Sequence, residues 1–304
     1  MSTGQNRGVT RLLVIANTHA GSAREEAVDT AIGVLRDGGG DVEVADLDPD
    51  ALPDVLKQHS DHRPVVMGGD GSVHLLVATA HRLGLLDGGP FEVGLVPLGT
   101  GNDLARTLGL PLDPAQAAEI ALSGRPRDLD ILVDDVGGIV VNAVHLGVGA
   151  EAGRRAVPLK PRLGKLAYPV GSAVAGASAA GWKLRVAVDG TVLAGGDRRA
   201  LMVALGNGVT IGGGAPVAPS ARPDDGHVDV VVSFSTGWRA RLAFAVALAR
   251  GRHPERHDVV SARGHAVTVS GGPVPLNADG ELSELTGART WTVLPHALRI
   301  PVGD

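Results

Sequence analysis

The sequence predicts an N-terminal α/β domain with a parallel sheet, followed by a mostly antiparallel β domain, a sandwich. Before Pro126, apolar strand-like runs alternate with helix-like segments, as is typical of parallel sheets with both faces covered. After Pro126, short β-rich runs are separated by Gly- and Asp-rich turns, which indicates antiparallel strands. The length of 304 residues allows two domains of ordinary size. We expect them to span residues 1–127 and 128–294.

The first domain shows four strand signals, each followed by a helical spacing of apolar residues. The predicted strands are Leu12–Ala16, Val42–Ala45, Pro64–Met67 and Val93–Val96. The predicted helices are Ala23–Arg36, Ala51–Gln58, Ser72–Leu83 and a short helix ending before Gly109. Parallel sheets bind ligands at the carboxyl ends of their strands. We therefore expect three loops to converge on one crevice: Asn17–Gly21, Gly68–Ser72 and Gly99–Asp103.

The second domain is predicted to be mainly strand. The predicted strands are Leu129–Val133, Gly138–His145, Leu184–Val188, Arg199–Leu205, Val228–Ser233, Val259–Ala262, Ala266–Ser270 and Thr290–Leu294. Two helical stretches interrupt them, Leu166–Ala179 and Trp238–Ala249. We expect the active-site cleft to lie between the two domains.

Composition narrows the class of function. The net charge is -5 and the chain holds seven aromatic residues (Trp 3, Tyr 1, Phe 3), so a nucleic-acid-binding role is not expected. Cysteine is absent, which excludes disulfides and thiolate metal sites. The polar first ten residues do not resemble a secretion signal, and no apolar run reaches the length of a membrane span. We expect a soluble, cytoplasmic protein.

The segment Gly68–Ser72 (GGDGS) is the most informative motif. Glycine lets backbone N–H groups approach a phosphate closely, and the Ser72 hydroxyl is expected to cap the following helix, whose N-terminus favours anions. Asp70 cannot donate to phosphate, so we expect it to face a metal or to order the donors around it. This pattern indicates a nucleotide site. An ordinary glycine-rich turn is the alternative.

A second glycine-rich loop follows the fourth predicted strand. Thr100 lies between Gly99 and Gly101 and offers a hydroxyl, and Asn102 is expected to cap the next helix. The alternative is a tight strand-to-helix turn with a capping Asn. The sequence contains neither a P-loop nor a G-x-G-x-x-G motif, so any phosphate-binding device must be of another kind.

Asp279 and Glu281 form an acidic pair near the C-terminus. If the segment is extended, both side chains point to one face, where two carboxylates require a cation or a raised pKa. A kinase can use one acid near magnesium and phosphate and the other as proton acceptor. Local sequence alone favours the alternative, an Asp-Gly hairpin turn.

Two further clusters have weaker signals. Asp225 and neighbouring carbonyls offer oxygen ligands for a hard cation, although such a segment is usually a surface turn. The run Arg154–Lys165 contains five cations and could attract anionic lipid head groups. A solvated loop is the more common outcome for such a run.

Taken in order, these motifs resemble the diacylglycerol-kinase-type lipid kinases, in the soluble bacterial branch related to sphingosine and ceramide kinases. The resemblance spans nearly the whole chain. It is carried by GGDGS at Gly68–Ser72, PLGTGND at Pro97–Asp103, the segment from Gly212 to Gly226, and DGE at Asp279–Glu281.

The resemblance implies an ATP- and magnesium-dependent kinase of a hydroxyl lipid such as diacylglycerol, with an NAD-kinase-like first domain. It implies that the tail, about 295–304, packs back on that domain. The implied ATP contacts are Asn17, Thr18, His19, Ala20, Gly21, Met67, Gly68, Gly69, Asp70, Gly71, Ser72, Val73, Thr100, Gly101 and Asn102.

The resemblance also assigns the acids. Glu281 is the implied proton acceptor, with Asp279 beside it. The implied magnesium–water network comprises Asp70, Asp103 and Asp130. The implied structural magnesium site comprises Asp225 and the carbonyls of Arg222 and His227.

Two other functions stay open at this point. An NAD kinase shares a GGDG loop, although PLGTGND and the DGE ending favour the lipid branch. A nucleotide- or lipid-binding regulator with a decayed site is suggested by the loop Asn17–Gly21, which lacks the proline and serine common in the family. We expect peripheral contact with a membrane that holds the lipid substrate, and a homodimer is possible.

Overall fold

The computed structural model describes residues 10–17, 22–151 and 180–303. The chain divides into two compact units. Unit 1 comprises Met1–Leu129 and Ala297–Asp304, and unit 2 comprises Asp130–His296. The predicted helix Leu166–Ala179 lies outside the described residues.

Unit 1 contains a parallel sheet with the strand order β2-β1-β3-β5. Four strands form this sheet: β1 (Thr10–Ala16), β2 (Gly40–Asp46), β3 (Arg63–Gly68) and β5 (Gly94–Pro97). The short strand β4 (Phe91–Glu92) precedes β5 and lies outside the sheet. Its helices are α1 (Ser22–Asp37), α2 (Leu52–Gln58), α3 (Asp70–Arg82), α4 (Asp103–Leu108) and α5 (Pro114–Ser123). The predicted parallel α/β architecture is confirmed.

Both faces of this sheet are buried, which explains its continuous apolar strands. On one face, Leu12, Val14 and Met67 pack with apolar residues of α1 and α5. The alternate residues Ile15 and Val66 are also fully buried.

Sequence reasoning missed β4 and α5. Helix α5 begins with a standard signal: the Asp113 side chain accepts a hydrogen bond from the Gln116 N–H at 3.0 Å, and Pro114 follows it. Its buried side chains are only alanines, Ala117, Ala118 and Ala121. Small side chains give little hydrophobic periodicity, so the helix was not recognised.

Residues 297–304 belong to unit 1. There Leu298 pairs in parallel with Phe91 of β4. The Arg299 guanidinium makes a bidentate ion pair with Asp128, with distances of 2.6 and 2.8 Å. This pairing raises the pKa of Arg299, so the tail residue stays a cation.

Unit 2 is mostly antiparallel, as predicted. The remaining strands are β6 (Arg125–Asp134), β7 (Ile139–Val140), β8 (Ala143–Gly147), β9 (Trp182–Val188), β10 (Thr191–Ala200), β11 (Met202–Gly206), β12 (Val228–Ser233), β13 (Val259–Gly264), β14 (Ala266–Ala278) and β15 (Glu281–Val302). Helix α6 (Trp238–Ala249) and a 3-10 turn (His253–Glu255) precede β13. The chain leaves unit 1 within β6 and returns within β15.

Two predicted strands of unit 2 are each split in the structure. The predicted strand Gly138–His145 becomes β7 and β8, because the N–H groups of Val141 and Asn142 donate to a side-chain carboxylate instead of a strand partner. The predicted strand Arg199–Leu205 is interrupted at Leu201, whose N–H donates to the Ser233 carbonyl at 2.7 Å. Helix α6 has the predicted bounds.

The core of unit 2 is formed by the inward side chains of its strands, with Trp291 fully buried. Among the described helices of both units, none is long and apolar enough to cross a membrane.

Candidate functional site

In unit 1, the two glycine-rich loops begin at the carboxyl ends of neighbouring strands, on the same side of the sheet. Gly68 at the end of β3 lies opposite Pro97 at the end of β5, and the Leu98 N–H donates to the Gly68 carbonyl at 2.8 Å. Asn17 follows the end of β1, which is the other neighbour of β3. The strand order reverses between β1 and β3, and such a reversal is where open α/β sheets place their ligands.

The two loops touch through their backbones at Gly69 and Gly99. A Cβ atom on Gly99 would lie 2.4 Å from the Gly69 Cα and 2.7 Å from the Asn102 Oδ1. Both contacts are too short for a real Cβ, so a side chain at Gly99 would force the loops apart. The two glycines thus permit a backbone-lined surface at these strand ends.

Asn102 fixes the second loop, in a way that differs from the prediction. Its Oδ1 accepts from the Gly99 N–H and its Nδ2 donates to the Gly99 carbonyl, both at 2.9 Å. It is the N-cap residue of α4, the predicted position, but its side chain makes no cap hydrogen bond, so the predicted side-chain cap is wrong. With φ at 52°, Asn102 adopts the left-handed conformation that Asn tolerates better than most residues.

Asp70 links the two loops. Its Oδ1 accepts a hydrogen bond from the Leu104 N–H, in the first turn of α4, at 3.1 Å. The carboxylate therefore satisfies an unpaired donor at the start of that helix. This position agrees with a role in ordering backbone donors, one of the two roles expected of Asp70.

The predicted helix cap at Ser72 is wrong. Helix α3 already begins at Asp70, with Gly69 as its N-cap residue and no side-chain cap. Ser72 lies in the first turn and packs back over β3, since a Cβ on Gly68 would be 2.3 Å from the Ser72 Oγ.

The other residues of the implied nucleotide set fall into three groups. Thr100 is exposed, and Gly71 and Gly101 are at least partly exposed. Met67 and Val73 are buried in the apolar interior, so only their backbone atoms are available to a ligand. Residues 18–21, which include Thr18, His19, Ala20 and Gly21, lie outside the described residues.

In unit 2, Asp279 and Gly280 form a two-residue turn between β14 and β15, where Ala278 pairs with Glu281. Their φ values are 49° and 101°, as in the turns that join tight hairpins. The segment is not extended, so the condition under which Asp279 and Glu281 would share a face is not met. The hairpin alternative holds.

The carboxylate of Asp279 accepts three backbone hydrogen bonds. The donors are the N–H groups of Val141, Asn142 and Ala143, at 2.6, 2.9 and 3.0 Å. The turn is further held by Asn277, whose Oδ1 accepts from the Gly280 N–H at 2.8 Å. Asp279 thus fixes the position of the turn, whereas Glu281 at the start of β15 is exposed.

Sequence reasoning missed three buried polar residues in this region: Asn142, His145 and Asn207. The Asn207 Nδ2 donates to the carbonyls of Asp130 and Val141 at 2.8 and 2.7 Å. The available signal was a polar residue at the end of an apolar strand, as in Asn207 directly after β11.

His145 lies on β8 opposite Asn277 of β14. Burial lowers the pKa of His145 to about 4, although the charge of Asp279 acts in the opposite direction. Its Nδ1 is buried without a hydrogen-bond partner among the described residues. The imidazole is therefore neutral at physiological pH.

The acids proposed for metal binding in unit 2 are engaged by other groups. The two carboxylate oxygens of Asp130 accept from the N–H groups of Gly226 and His296, at 2.7 and 2.9 Å. Asp225 pairs with the Arg263 guanidinium and accepts from the His227 N–H. The same guanidinium also pairs with Asp229 at 3.1 Å, so one arginine serves two carboxylates, and a structural magnesium ion at Asp225 and the carbonyls of Arg222 and His227 stays a prediction.

A magnesium ion fits the acids of unit 1 better. Asp70 contacts the backbone of Leu104, and Asp103 precedes Leu104 as the first residue of α4. Carboxylate oxygens of this kind are the ligands that Mg²⁺ prefers. Within each unit, the described residues contain no cluster of three or more His, Asp or Glu placed to hold a metal ion alone, so most ligands would come from nucleotide and water.

Comparison with known proteins agrees with this arrangement of domains. Residues 11–133 match the family described as "Diacylglycerol kinase catalytic domain". Residues 142–302 match the family described as "YegS C-terminal NAD kinase beta sandwich-like domain".

Individual relatives give the same result. A "Probable lipid kinase YegS-like" of Chromohalobacter salexigens is 33% identical over 175 residues, 56% of this chain and 53% of that protein. A "Diacylglycerol kinase" of Mycobacterium tuberculosis is 28% identical over 241 residues, 78% of this chain and 75% of the relative. The crystal structure of a diacylglycerol kinase from Bacillus anthracis str. Sterne shares the fold, with a TM-score of 0.77, 22% identity and coverage of 97% of both chains.

The catalytic and C-terminal domain matches together cover most of the chain. The chain belongs to the YegS-like branch of the diacylglycerol-kinase-type lipid kinases, which are phosphotransferases.

Proposed function

We propose that this lipid kinase transfers the γ-phosphate of ATP to the hydroxyl of a membrane lipid, with diacylglycerol as acceptor and phosphatidic acid as product. The proposal rests above all on the contact between Gly69 and Gly99, which brings two half-buried, glycine-rich loops together at the carboxyl ends of the strands. Backbone N–H groups at such strand ends suit a polyphosphate.

The loops supply binding and orientation. The Thr100 hydroxyl and backbone N–H groups of the Gly68–Ser72 loop would donate to phosphate oxygens, with the exception of the Ser72 N–H, which already donates to the Gly69 carbonyl at 2.9 Å. Asp70 and Asp103 would hold Mg²⁺ together with the nucleotide, and this ion would offset negative charge on the phosphates. Asn102 and the link from Asp70 to Leu104 keep these donors fixed, so little reorganisation is needed during transfer.

Glu281 is the proposed general base. It is exposed at the tip of the β14–β15 hairpin, where a lipid hydroxyl can reach it. Asp279 is proposed as a positioning residue, because its carboxylate is held by three backbone donors. Glu281 would accept the proton of the hydroxyl as its oxygen attacks the γ-phosphorus, and ADP would leave.

The acceptor also determines where the enzyme works. Diacylglycerol resides in bilayers, so we propose a cytoplasmic enzyme that contacts the membrane peripherally. The cationic run Arg154–Lys165, which could attract head groups, lies outside the described residues.

The test is a phosphotransfer assay with radiolabelled ATP and Mg²⁺. Diacylglycerol in mixed micelles and NAD are offered separately, and the products are identified by mass spectrometry. We expect labelled phosphatidic acid with diacylglycerol and no labelled product with NAD. Label in NADP would instead assign the enzyme to nucleotide metabolism, and label in neither at a stoichiometric rate would indicate a binding regulator.

The acceptor lipid is then identified by the same assay over a total lipid extract. A single labelled product other than phosphatidic acid would retain the kinase assignment and replace diacylglycerol as the acceptor.

A further inference from the structure

Helix α6 is apolar on two opposite sides. On its inner side, Phe244 and Leu248 pack against a core cluster of unit 2. On its outer side, Trp238, Leu242 and Val246 are 71%, 63% and 43% exposed. A helix that packs on one side only is usually polar on the other, so the outer side is suited to contact an apolar partner.

The three exposed residues form a continuous surface, which we call the outer face of α6. They are spaced four residues apart, which places them in a row along one side of the helix. An open groove of about 430 Å³ runs along this row, lined by Trp238, Leu242, Val246, Ala247, Arg250 and Arg252.

Positive charge flanks this apolar row. Arg239, Arg250 and Arg252 are exposed, and the Arg239 guanidinium lies 5.0 Å from the centre of the Trp238 ring. Residues 233–254 include four arginines and no acidic residue, although the whole chain carries a net charge of -5. The local charge is therefore opposite in sign to that of the protein.

We propose that the outer face of α6 docks the enzyme onto a bilayer that contains anionic phospholipid. Trp238, Leu242 and Val246 would enter the boundary between head groups and acyl chains, and the arginines would meet lipid phosphates. Tryptophan is well suited to this boundary because its ring is apolar and its N–H is polar. The inference rests on the proposed function, which requires an acceptor in a membrane.

Charge argues against a second copy of the chain as the occupant. A two-fold symmetric dimer would bring the outer face of α6 against itself. The arginines that flank the row, Arg239 and Arg250, would then approach the same arginines of the other copy, and like charges across an interface are unfavourable.

The test measures binding to vesicles of phosphatidylcholine with and without phosphatidylglycerol. Three variants are compared with the wild type: Trp238→Ser, Leu242→Ser and the double variant Arg250→Glu with Arg252→Glu. We expect each to weaken binding to the phosphatidylglycerol vesicles at least about tenfold. Added salt should weaken binding of the wild type and have less effect on the arginine variant.

Two matched variants control for general surface changes. Val136→Ser alters another exposed apolar residue of unit 2, which is 67% exposed, and Arg36→Glu reverses an exposed cation at the end of α1. Both should bind vesicles within about twofold of the wild type, because neither residue belongs to the outer face of α6.

Fluorescence gives a direct readout of insertion. Of the three tryptophans, Trp291 is fully buried, Trp182 is half-buried and Trp238 is 71% exposed, so Trp238 should account for most quenching by vesicles of brominated lipid. Most of the quenching should be lost in Trp238→Phe. Unchanged quenching in that variant would overturn the proposal.

The remaining outcomes separate this proposal from the proposed function. Unchanged vesicle binding in the α6 variants would overturn the docking face, and if Leu242→Ser also converted a dimer to a monomer, the face would be an interface between copies. If the wild type bound vesicles through α6 but phosphorylated neither long-chain nor soluble short-chain diacylglycerol, the proposed function would fail and the docking face would stand. Variants that lose activity on vesicles but keep it on short-chain diacylglycerol would support both.

Discussion

The carboxylate of Asp70 accepts a hydrogen bond from the Leu104 N–H at 3.1 Å. Asp70 begins α3 and Leu104 lies in the first turn of α4, so one side chain joins the two loops that follow β3 and β5. The acid of the GGDGS motif is thus part of the loop structure as well as a proposed contributor to magnesium binding.

The two roles of Asp70 can be separated by two substitutions. Asp70→Asn retains an oxygen that can accept from Leu104 but removes the charge, so we expect near-normal stability and loss of the magnesium dependence of ATP binding. Asp70→Ala should in addition lower the free energy of unfolding by about 1 kcal/mol. Calorimetric titration of ATP with and without Mg²⁺, and urea unfolding, measure these effects. An unchanged magnesium dependence in Asp70→Asn would make the residue purely structural.

Gly99→Ala should weaken ATP binding. Its Cβ would lie 2.4 Å from the Gly69 Cα, and backbone atoms cannot yield as a flexible side chain can. We expect the loops to separate, with ATP affinity lower by at least about tenfold and stability lower by about 1–3 kcal/mol. The matched control is Gly33→Ala in α1, where an added Cβ has no atom within 4 Å. It should bind ATP normally and be slightly more stable, and equal affinity in both variants would contradict the close-contact argument.

Substitutions of the two hairpin acids, Glu281 and Asp279, should differ in their effects on kcat and on stability. Glu281 is exposed, so Glu281→Gln should retain stability and ATP affinity and lose about 10²-fold or more in kcat. Asp279→Ala removes the acceptor of three backbone donors, so it should lower both activity and the free energy of unfolding, the latter by about 3 kcal/mol. Steady-state kinetics and denaturant titration distinguish them. Normal kcat in folded Glu281→Gln would exclude the base role.

His145 should make the protein less stable in mild acid. Its pKa in the folded state is about 4, below the ordinary value of about 6.5, so between these values the unfolded chain binds a proton that the folded chain does not. Stability should rise with pH through this window and be lost as pH falls, by about 3 kcal/mol in total. Urea titrations at pH 4.5 and pH 7 measure the free energy of unfolding. The difference between the two pH values should be smaller in His145→Gln than in the wild type. An identical pH slope in both proteins would refute this.

His59 supplies a control with the opposite sign. The Val55 carbonyl and the Glu43 carboxylate raise the pKa of His59, so its contribution to stability is present at low pH and is lost as pH rises through the folded-state pKa. His59→Gln should therefore change the pH slope of stability in the direction opposite to His145→Gln.

Much of the fold was predictable because the strands are strongly apolar and the helices periodic. The parallel sheet of unit 1 could be predicted because strands and helices alternate along the chain, as in β1, α1, β2 and α2. The bounds of helix α6 were predicted to the residue. Helix α5 was missed because alanines alone bury its inner side. The split of β7 from β8 was also missed, since it arises from hydrogen bonds to Asp279, which lies far along the chain.

The sequence predicted which segments form the candidate site, but not the contacts that their side chains make. The glycine loops and the acidic pair could be located because their residue types are unusual in strands and helices. The side-chain roles of Ser72 and Asn102 were wrong, because both turn back onto the glycine-rich backbone beside them. His145 gave no signal, since its lowered pKa depends on burial that only packing creates.

The sequence by itself determined the α/β and antiparallel classes of the two domains, the family, and the loops that carry chemistry. These depend on local patterns: periodicity, glycine clusters and the order of motifs. Only the tertiary structure decided that Asp70 links two loops, that Asp279 is held by the chain near Asn142, and that α6 exposes Trp238. Each of these depends on residues distant in sequence, and a local pattern does not specify which distant backbone donors or core residues a side chain will meet.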